Sequence, residues 1–249
     1  MYKIPKFKWD DRHKLFWMSD PHIFHNPTWP IPLWKSRGYA SPDAAADDVR
    51  DKINARVGKD DTLFMLGDFF LNAKDEDCLA WLSQINCQNI LTLFGNHESN
   101  MYRLYKQEVS KQYNIPDVEI YPLRMGNVVF MGNHLEILVG KKLIVMNHFP
   151  IHSWNSMNRN SWHLSAHQHL TDPTRRPDHP FGKCFDAGWE WKNDVWSFEE
   201  IQEVMETKIF VAVDHHEKTD SLQNARMSSS ATTVPLGNEI YGPNPDIQG

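Results

Sequence analysis

The feature that most restricts this chain is a junction it repeats: a short apolar run stops abruptly at a cluster of polar, chemistry-bearing residues. It occurs in "KLFWMSDPHIFHN" from residue 14, "TLFMLGDFF" from 62, "ILTLFGNHE" from 90 and "KLIVMNHFPIHSW" from 142. Runs of this length, apolar on consecutive positions, read as strands covered on both faces. Further runs of the kind are "NVVFM" at 127–131 and "IFVAV" at 209–213.

Between the first three runs lie helical patterns. "SPDAAADDVRDKINARVG" offers Ser41 as N-cap, Pro42 in the first turn, a stripe of Val49, Ile53 and Val57, and Gly58 as the stop. "DEDCLAWLSQI" repeats the pattern with an acidic start and Leu79 and Leu82. Strand alternating with helix predicts a mainly parallel sheet. Residues 119–147 read as strands without helices, which predicts a second, more antiparallel sheet. "SFEEIQEVMETK" then presents a capping box from Ser197 to Glu200 and a stripe at Ile201, Val204 and Met205, with a last strand after it. From residue 215 the chain is polar and rich in Ser, Pro and Gly, so residues 1–214 are expected as the domain and 215–249 as a tail.

Composition narrows the function. A formal net charge of -6 argues against a general basic surface for long nucleic acid, while leaving room for a small phosphorylated partner gripped locally. Cys78, Cys87 and Cys184 form no C-x-x-C pair, which reads as reduced thiols in a cytoplasmic protein. No run approaches the roughly 20 apolar residues of a membrane span, so no membrane partner is expected. The absence of G-x-S-x-G and of a Walker lysine loop leaves water as the expected nucleophile.

Ligands of open α/β sheets gather at the carboxyl ends of strands, so the polar clusters are expected to converge. Their inventory is Asp20, His22, Asp68, Asn96, His97 and His148, joined by His167 and His169 from "SAHQH". Carboxylates, imidazoles and an amide oxygen without thiolate make a mixed site for a divalent ion. Setting His97 apart, seven ligands exceed what one ion needs; two ions sharing Asp68 would use them all and could activate water for in-line attack at phosphorus.

Asp-x-His, Gly-Asp, Gly-Asn-His-Glu, a lone His after a strand and His-x-His, in that order over about residues 14–190, resemble the calcineurin-like metallophosphoesterase superfamily. The resemblance implies an α/β fold built as a two-sheet sandwich flanked by helices, with the metals at the carboxyl ends of the strands. It further implies one ion held by Asp20, His22, Asp68 and His169, a second held by Asp68, Asn96, His148 and His167, and His97 facing the phosphate and leaving group as a proton donor. Two divalent ions are expected as cofactors, Mn²⁺ first, with Fe, Zn²⁺, Ni²⁺ or Mg²⁺ as other choices. The expected activity is phosphoester hydrolysis, with a phosphodiester of a nucleotide or related small molecule as substrate. A nuclease, a phosphomonoesterase and a metal-binding scaffold without catalysis are the alternatives. Two positions depart from the family pattern: Ala166 stands where Gly is common, and Pro21 separates the first two ligands.

Other assignments rest on position alone. His25, Asn26 and Arg159 are candidate substrate contacts, as are Arg175, Arg176 and Lys183; Trp154 is a candidate pocket wall. Glu98 is expected to orient a histidine or to form a surface ion pair. His163, His167 and His169 could instead make a structural zinc site, although Trp162, Leu164 and Ala166 alternate as a strand would.

Overall fold

The computed structural model describes residues 4–27, 31–114, 118–169 and 182–210. Two sheets are stacked. The first contains β2 (Leu15–Met18), β3 (Thr62–Met65), β4 (Ile90–Thr92), β5 (Leu123–Met125), β6 (Val128–Phe130) and β11 (Trp196–Ser197) in the order β11-β2-β3-β4-β6-β5. Its centre, β2-β3-β4-β6, is parallel, and β11 and β5 close the edges antiparallel. The second sheet has the order β1 (Lys6–Phe7), β7 (His134–Val139), β8 (Lys142–Asn147), β9 (Trp162–Ser165) and β10 (Lys183–Asp186).

The continuous apolar runs are explained by what covers each face. Side chains alternate along a strand, so Phe16 and Met18 of β2 and Leu63 and Met65 of β3 enter a core built with α2 (Pro42–Arg56), α3 (Asp75–Leu82) and α4 (Ser99–Tyr113). Leu15, Trp17, Phe64 and Leu66 point the other way, against Ile137, Ile144, Met146 and Leu164 of the second sheet. A strand buried on both faces has no position that rewards a polar residue. The polar residues therefore wait until the strand ends.

Helix chemistry follows the sequence in α2, where the Ser41 hydroxyl accepts from the Ala44 N–H at 3.0 Å and Val49, Ile53 and Val57 are buried. In α6 (Phe198–Thr207) the capping box of Ser197 and Glu200 is formed. The remaining helices are the single turns α1 (Leu33–Ser36) and α5 (Trp189–Lys192).

Several expectations are corrected. The stop of α2 is Val57 in extended conformation, and the Gly58 N–H is held by the Asp61 carboxylate at 2.8 Å. In α3 the buried stripe is Cys78, Trp81 and Leu82, whereas Leu79 is exposed. The strands of 119–147 divide between the sheets: β5 and β6 extend the first, β7 and β8 belong to the second. Helix α4 was not expected. Ile209 and Phe210 are not in a strand, and the rest of that run, like the tail from 215, lies outside the described residues. Among the described residues no helix is long and apolar enough to cross a membrane.

Candidate metal centre

Parallel register brings the carboxyl ends of β2, β3 and β4 side by side, with Met18 opposite Met65 and Met65 opposite Thr92. Past those ends the loops stay laced together. The Asp20 N–H donates to Gly67 O at 3.1 Å and the His22 N–H to Asp68 O at 3.2 Å. The second sheet is tied in through His148, which follows β8: its Nδ1 lies 3.1 Å from Leu66 O, and its own carbonyl accepts from the Ala166 N–H beyond β9 at 2.9 Å.

Gly67 and Gly95 permit this closeness. Gly67 has φ of +115°, and a Cβ there would stand 2.7 Å from Gly95 N and 2.8 Å from His148 Nδ1. A Cβ on Gly95 would overlap the Asp68 carboxylate. The glycine in front of Asp68 and the one in front of Asn96 are thus packing requirements of the site itself.

The loops converge on two carboxylates. Asp20 and Asp68 are 0% and 1% exposed, and Asp20 Oδ1 and Asp68 Oδ2 have no hydrogen-bond partner. Such oxygens are costly unless a cation or donor meets them. Around them stand imidazole nitrogens: His22 Nε2 is 3.7 Å from Asp20 Oδ1 and 3.6 Å from Asp68 Oδ2. His169 Nε2 is 3.4 Å from Asp20 Oδ1 and 3.1 Å from His22 Nε2. His148 Nε2 is 3.5 Å from Asp68 Oδ2 and 2.9 Å from Asn96 Oδ1. Two groups of ligand atoms each lie within 4.8 Å of one another, Asp20 with His22 and His169, and Asp20 with Asp68 and His148. The residues present fit a divalent cation in donor type, burial and convergence.

Asp20 appears in both groups, and Asp68 Oδ2 faces both His22 and His148. His167 stands outside both groups. Its N–H donates to Asp20 Oδ2 at 3.1 Å, and its ring packs 5.2 Å from that of His148. His97 is exposed, its ring 5.6 Å from that of His22 and its N–H donated to Asp68 Oδ1 at 2.7 Å. Five of these residues hold left-handed backbone: Asp20, His22, Asp68, His167 and His169. Such conformations cost on the order of 1–3 kcal/mol each and collect at functional sites. Ala166, standing where glycine is common, is free of this demand because the positive φ falls on His167 instead.

The electrostatics follow from burial and proximity. Burial alone would raise the Asp20 carboxyl, yet the adjacent His22 ring and the charges of His148, His169 and His22 bring it down to about 2. Burial lowers His22 against the pull of Asp20 and Asp68. Glu98 is raised well above the usual carboxyl range by complete burial and by the charges of Asp68 and Asp20, although it accepts the Phe69 N–H at 2.7 Å. Glu98 therefore braces the loop after Asp68, which corrects both roles expected of it.

Two residues of the site were missed by sequence reasoning. His169 Nδ1 lies 3.0 Å from Glu190 Oε1, a carboxylate on α5 that also takes a close ion pair from Arg37. Arg37 donates further to Pro21 O at 2.6 Å and Asp20 O at 2.8 Å. Burial opposes charge on both His169 and Glu190. Even so, their mutual hydrogen bond, with Asp20 beside one and Arg37 beside the other, leaves His169 raised and Glu190 lowered.

Of the weaker candidates, His25 lies near the cluster, its ring 6.2 Å from that of His22 and its Nδ1 accepting the Leu33 N–H. Asn26 is turned to Trp34, whose indole N–H it accepts at 3.3 Å. Arg159 is not brought to the site. It ends a 3₁₀ turn beside Asn160, whose carbonyl accepts from Lys142 at the start of β8, six residues or roughly 20 Å of strand from His148. Lys183 donates to Met205 O at 2.7 Å, a helix-end contact; Arg175 and Arg176 lie outside the described residues. Trp154 packs on His163, with ring centroids 5.1 Å apart. His163 spends both ring nitrogens on the backbone of Val145 and Ile151, which removes it from any zinc site.

A two-sheet sandwich with helices on its flank and Asp/His loops gathered at the carboxyl ends of its strands defines a metallophosphoesterase-type fold. The chain belongs to the calcineurin-like phosphoesterase family, whose model matches residues 13–223. Family and cluster together support a metal-dependent phosphoesterase. A crystal structure described as the protein of unknown function AQ665 from Aquifex aeolicus shares the fold, at 17% identity and a TM-score of 0.50 over 77% of this chain and 99% of that one. No curated protein matches the chain.

Proposed function

We propose that the protein is a dinuclear phosphoesterase, with Asp20, His22, Asp68 and His169 holding one divalent ion and Asp68, Asn96, His148 and His167 the other. The observation that carries this reading is the pair of buried, unpartnered carboxylate oxygens, Asp20 Oδ1 and Asp68 Oδ2, each faced by imidazole Nε2 atoms. When bound, two such ions supply a hydroxide at neutral pH and neutralise charge in an in-line displacement at phosphorus. The chain's own residues do the rest. Asp68 fixes the backbone of the His97 loop through the His97 N–H, and the exposed His97 ring, on the open side, delivers a proton to the departing oxygen.

The substrate class proposed is a phosphodiester of a nucleotide or a related small molecule. Among the described residues, Arg37, which lies against these loops, is committed to Glu190 and to two carbonyls, which suits a singly charged diester better than a doubly charged monoester. The net charge of -6 disfavours long nucleic acid. The test is a panel of phosphomonoesters, cyclic and linear dinucleotides and single-stranded DNA, run on chelated protein with and without added Mn²⁺. Hydrolysis that returns with Mn²⁺, strongest on the dinucleotides, is expected. Undiminished turnover after chelation would refute the reading, and preference for monoesters or DNA would move the substrate class.

A further inference from the structure

Arg37 and Glu190 form a buried ion pair whose place stability alone does not explain. Both side chains are close to nine-tenths buried, at 11% and 8% exposed. Taking two charges out of water costs several kcal/mol per ion, and an apolar pair of the same size often serves a fold as well. This pair is moreover set beside a site that already buries the Asp20 and Asp68 carboxylates. Among the described residues, its hydrogen bonds to the site run to His169 and to the Asp20–Pro21 backbone. Glu190 Oε1 meets His169 Nδ1 at 3.0 Å, while the Arg37 guanidinium reaches Glu190 through Nε at 3.1 Å and the carbonyls of Asp20 and Pro21 through its two terminal nitrogens. None of the contacts between Arg37 or Glu190 and the site goes to Asn96, His148 or His167.

We infer that Arg37 and Glu190 are positioning residues for the His169 half of the centre: Glu190 fixes the His169 ring with Nε2 toward Asp20 and His22, and Arg37 clamps the Asp20–Pro21 backbone to the same carboxylate. This inference rests on the dinuclear reading. An imidazole can rotate about its bond to the backbone unless its second nitrogen is held, and a carboxylate behind a ligating histidine both selects the nitrogen presented and strengthens it as a donor. Asp20 and His22 flank Pro21, whose missing N–H removes one anchor for that loop. The Arg37 fork replaces it with two hydrogen bonds to consecutive carbonyls. Lysine, with a single flexible ammonium, cannot span two carbonyls and a carboxylate in fixed geometry.

Calorimetric titration of Mn²⁺ into metal-free protein tests this, with thermal unfolding of each variant recorded in parallel. The unmodified protein is expected to show two binding events. In Glu190→Ala one event should weaken about 10–100-fold, the usual loss when the partner behind a ligating histidine is removed, and the other should be unchanged. Glu190→Gln, which keeps the shape and one acceptor, guards against simple misfolding and should weaken the same event less. Arg37→Lys should not restore what Arg37→Ala loses. Two events of unmodified strength in Glu190→Ala, or equal weakening of both, would overturn the inference while leaving the phosphoesterase reading intact. Failure of the unmodified protein to bind a second ion would refute the dinuclear reading and this inference with it.

Discussion

Replacing Asp68 by asparagine examines the centre at its most connected atom. Asp68 Oδ1 accepts the His97 N–H at 2.7 Å, and Oδ2 stands between His22 Nε2 and His148 Nε2. An amide in this place must keep its oxygen toward His97, because its NH₂ group cannot accept that hydrogen. The NH₂ then occupies the position of Oδ2 and presents donors where cations are to sit. The bond to His97 survives but loses its charge, a cost of about 1 kcal/mol, so the metal-free variant should melt roughly 2–4 °C lower than the unmodified protein. The larger effect appears with metal. An ion at 100 times its dissociation constant stabilises by about 2.7 kcal/mol, and two ions by about 5.4 kcal/mol, which for a chain of this size raises the melting temperature by roughly 10–20 °C. If both sites weaken about 100-fold, the same Mn²⁺ contributes only about 0.8 kcal/mol, or about 2–3 °C. Differential scanning calorimetry with and without Mn²⁺ reads this directly. A variant that keeps the full increment would show that Asp68 is not a ligand, and one that keeps half would show that it serves a single ion.

His97→Ala should retain both ions by elemental analysis, since the ring is not among the proposed ligands, and should lose about 10²–10⁴ in rate on an alkyl or nucleoside ester but less on a nitrophenyl ester, whose leaving anion is already stable. Equal losses on the two substrates would reassign His97 from the leaving group to the phosphoryl oxygens. For His25, burial first, then the charges of His22, Arg37, His97 and His169, depress the ring from 6.5 to about 4. The unfolded chain therefore binds the extra proton first, and the metal-free protein should lose stability as pH falls from 6.5 toward about 4. His25→Gln should flatten that part of the profile of urea midpoint against pH, and an unchanged slope would refute the assignment.

The fold and the candidate ligands were legible to different depths, and the reasons are physical. Apolar runs covered on both faces announce themselves, and the Ser41 cap and the Ser197–Glu200 box mark helix starts through local chemistry. Helix α4 has the stripe of Met101, Leu104, Tyr105 and Val109, yet its N-cap, Glu98, makes no side-chain capping bond. The segment also begins inside the polar motif, so nothing local signals the start. Which sheet β5 through β8 join was not legible either. A half-buried strand shows the same alternation whichever sheet accepts it.

The same distinction separates the ligands from the residues behind them. Asp20, Asp68 and His148 are conspicuous because a polar residue at the end of a buried strand has few structural uses. Arg37 and Glu190 sit in "KSRGYA" and "GWEWKN", where an arginine and a glutamate would ordinarily be solvated, and only the chain's return over 153 positions brings them together. The strain is hidden for a related reason. Left-handed backbone usually advertises itself as glycine, but at Asp20, His22, Asp68, His167 and His169 the side chain is the purpose of the residue and glycine is excluded. Five strained residues and the unpartnered Asp20 Oδ1 and Asp68 Oδ2 would each be a defect in a fold selected for stability alone. Gathered at one end of the sheets, they describe a site whose stability depends on what it binds, because a cation satisfies the oxygens and fixes the strained loops in the same step.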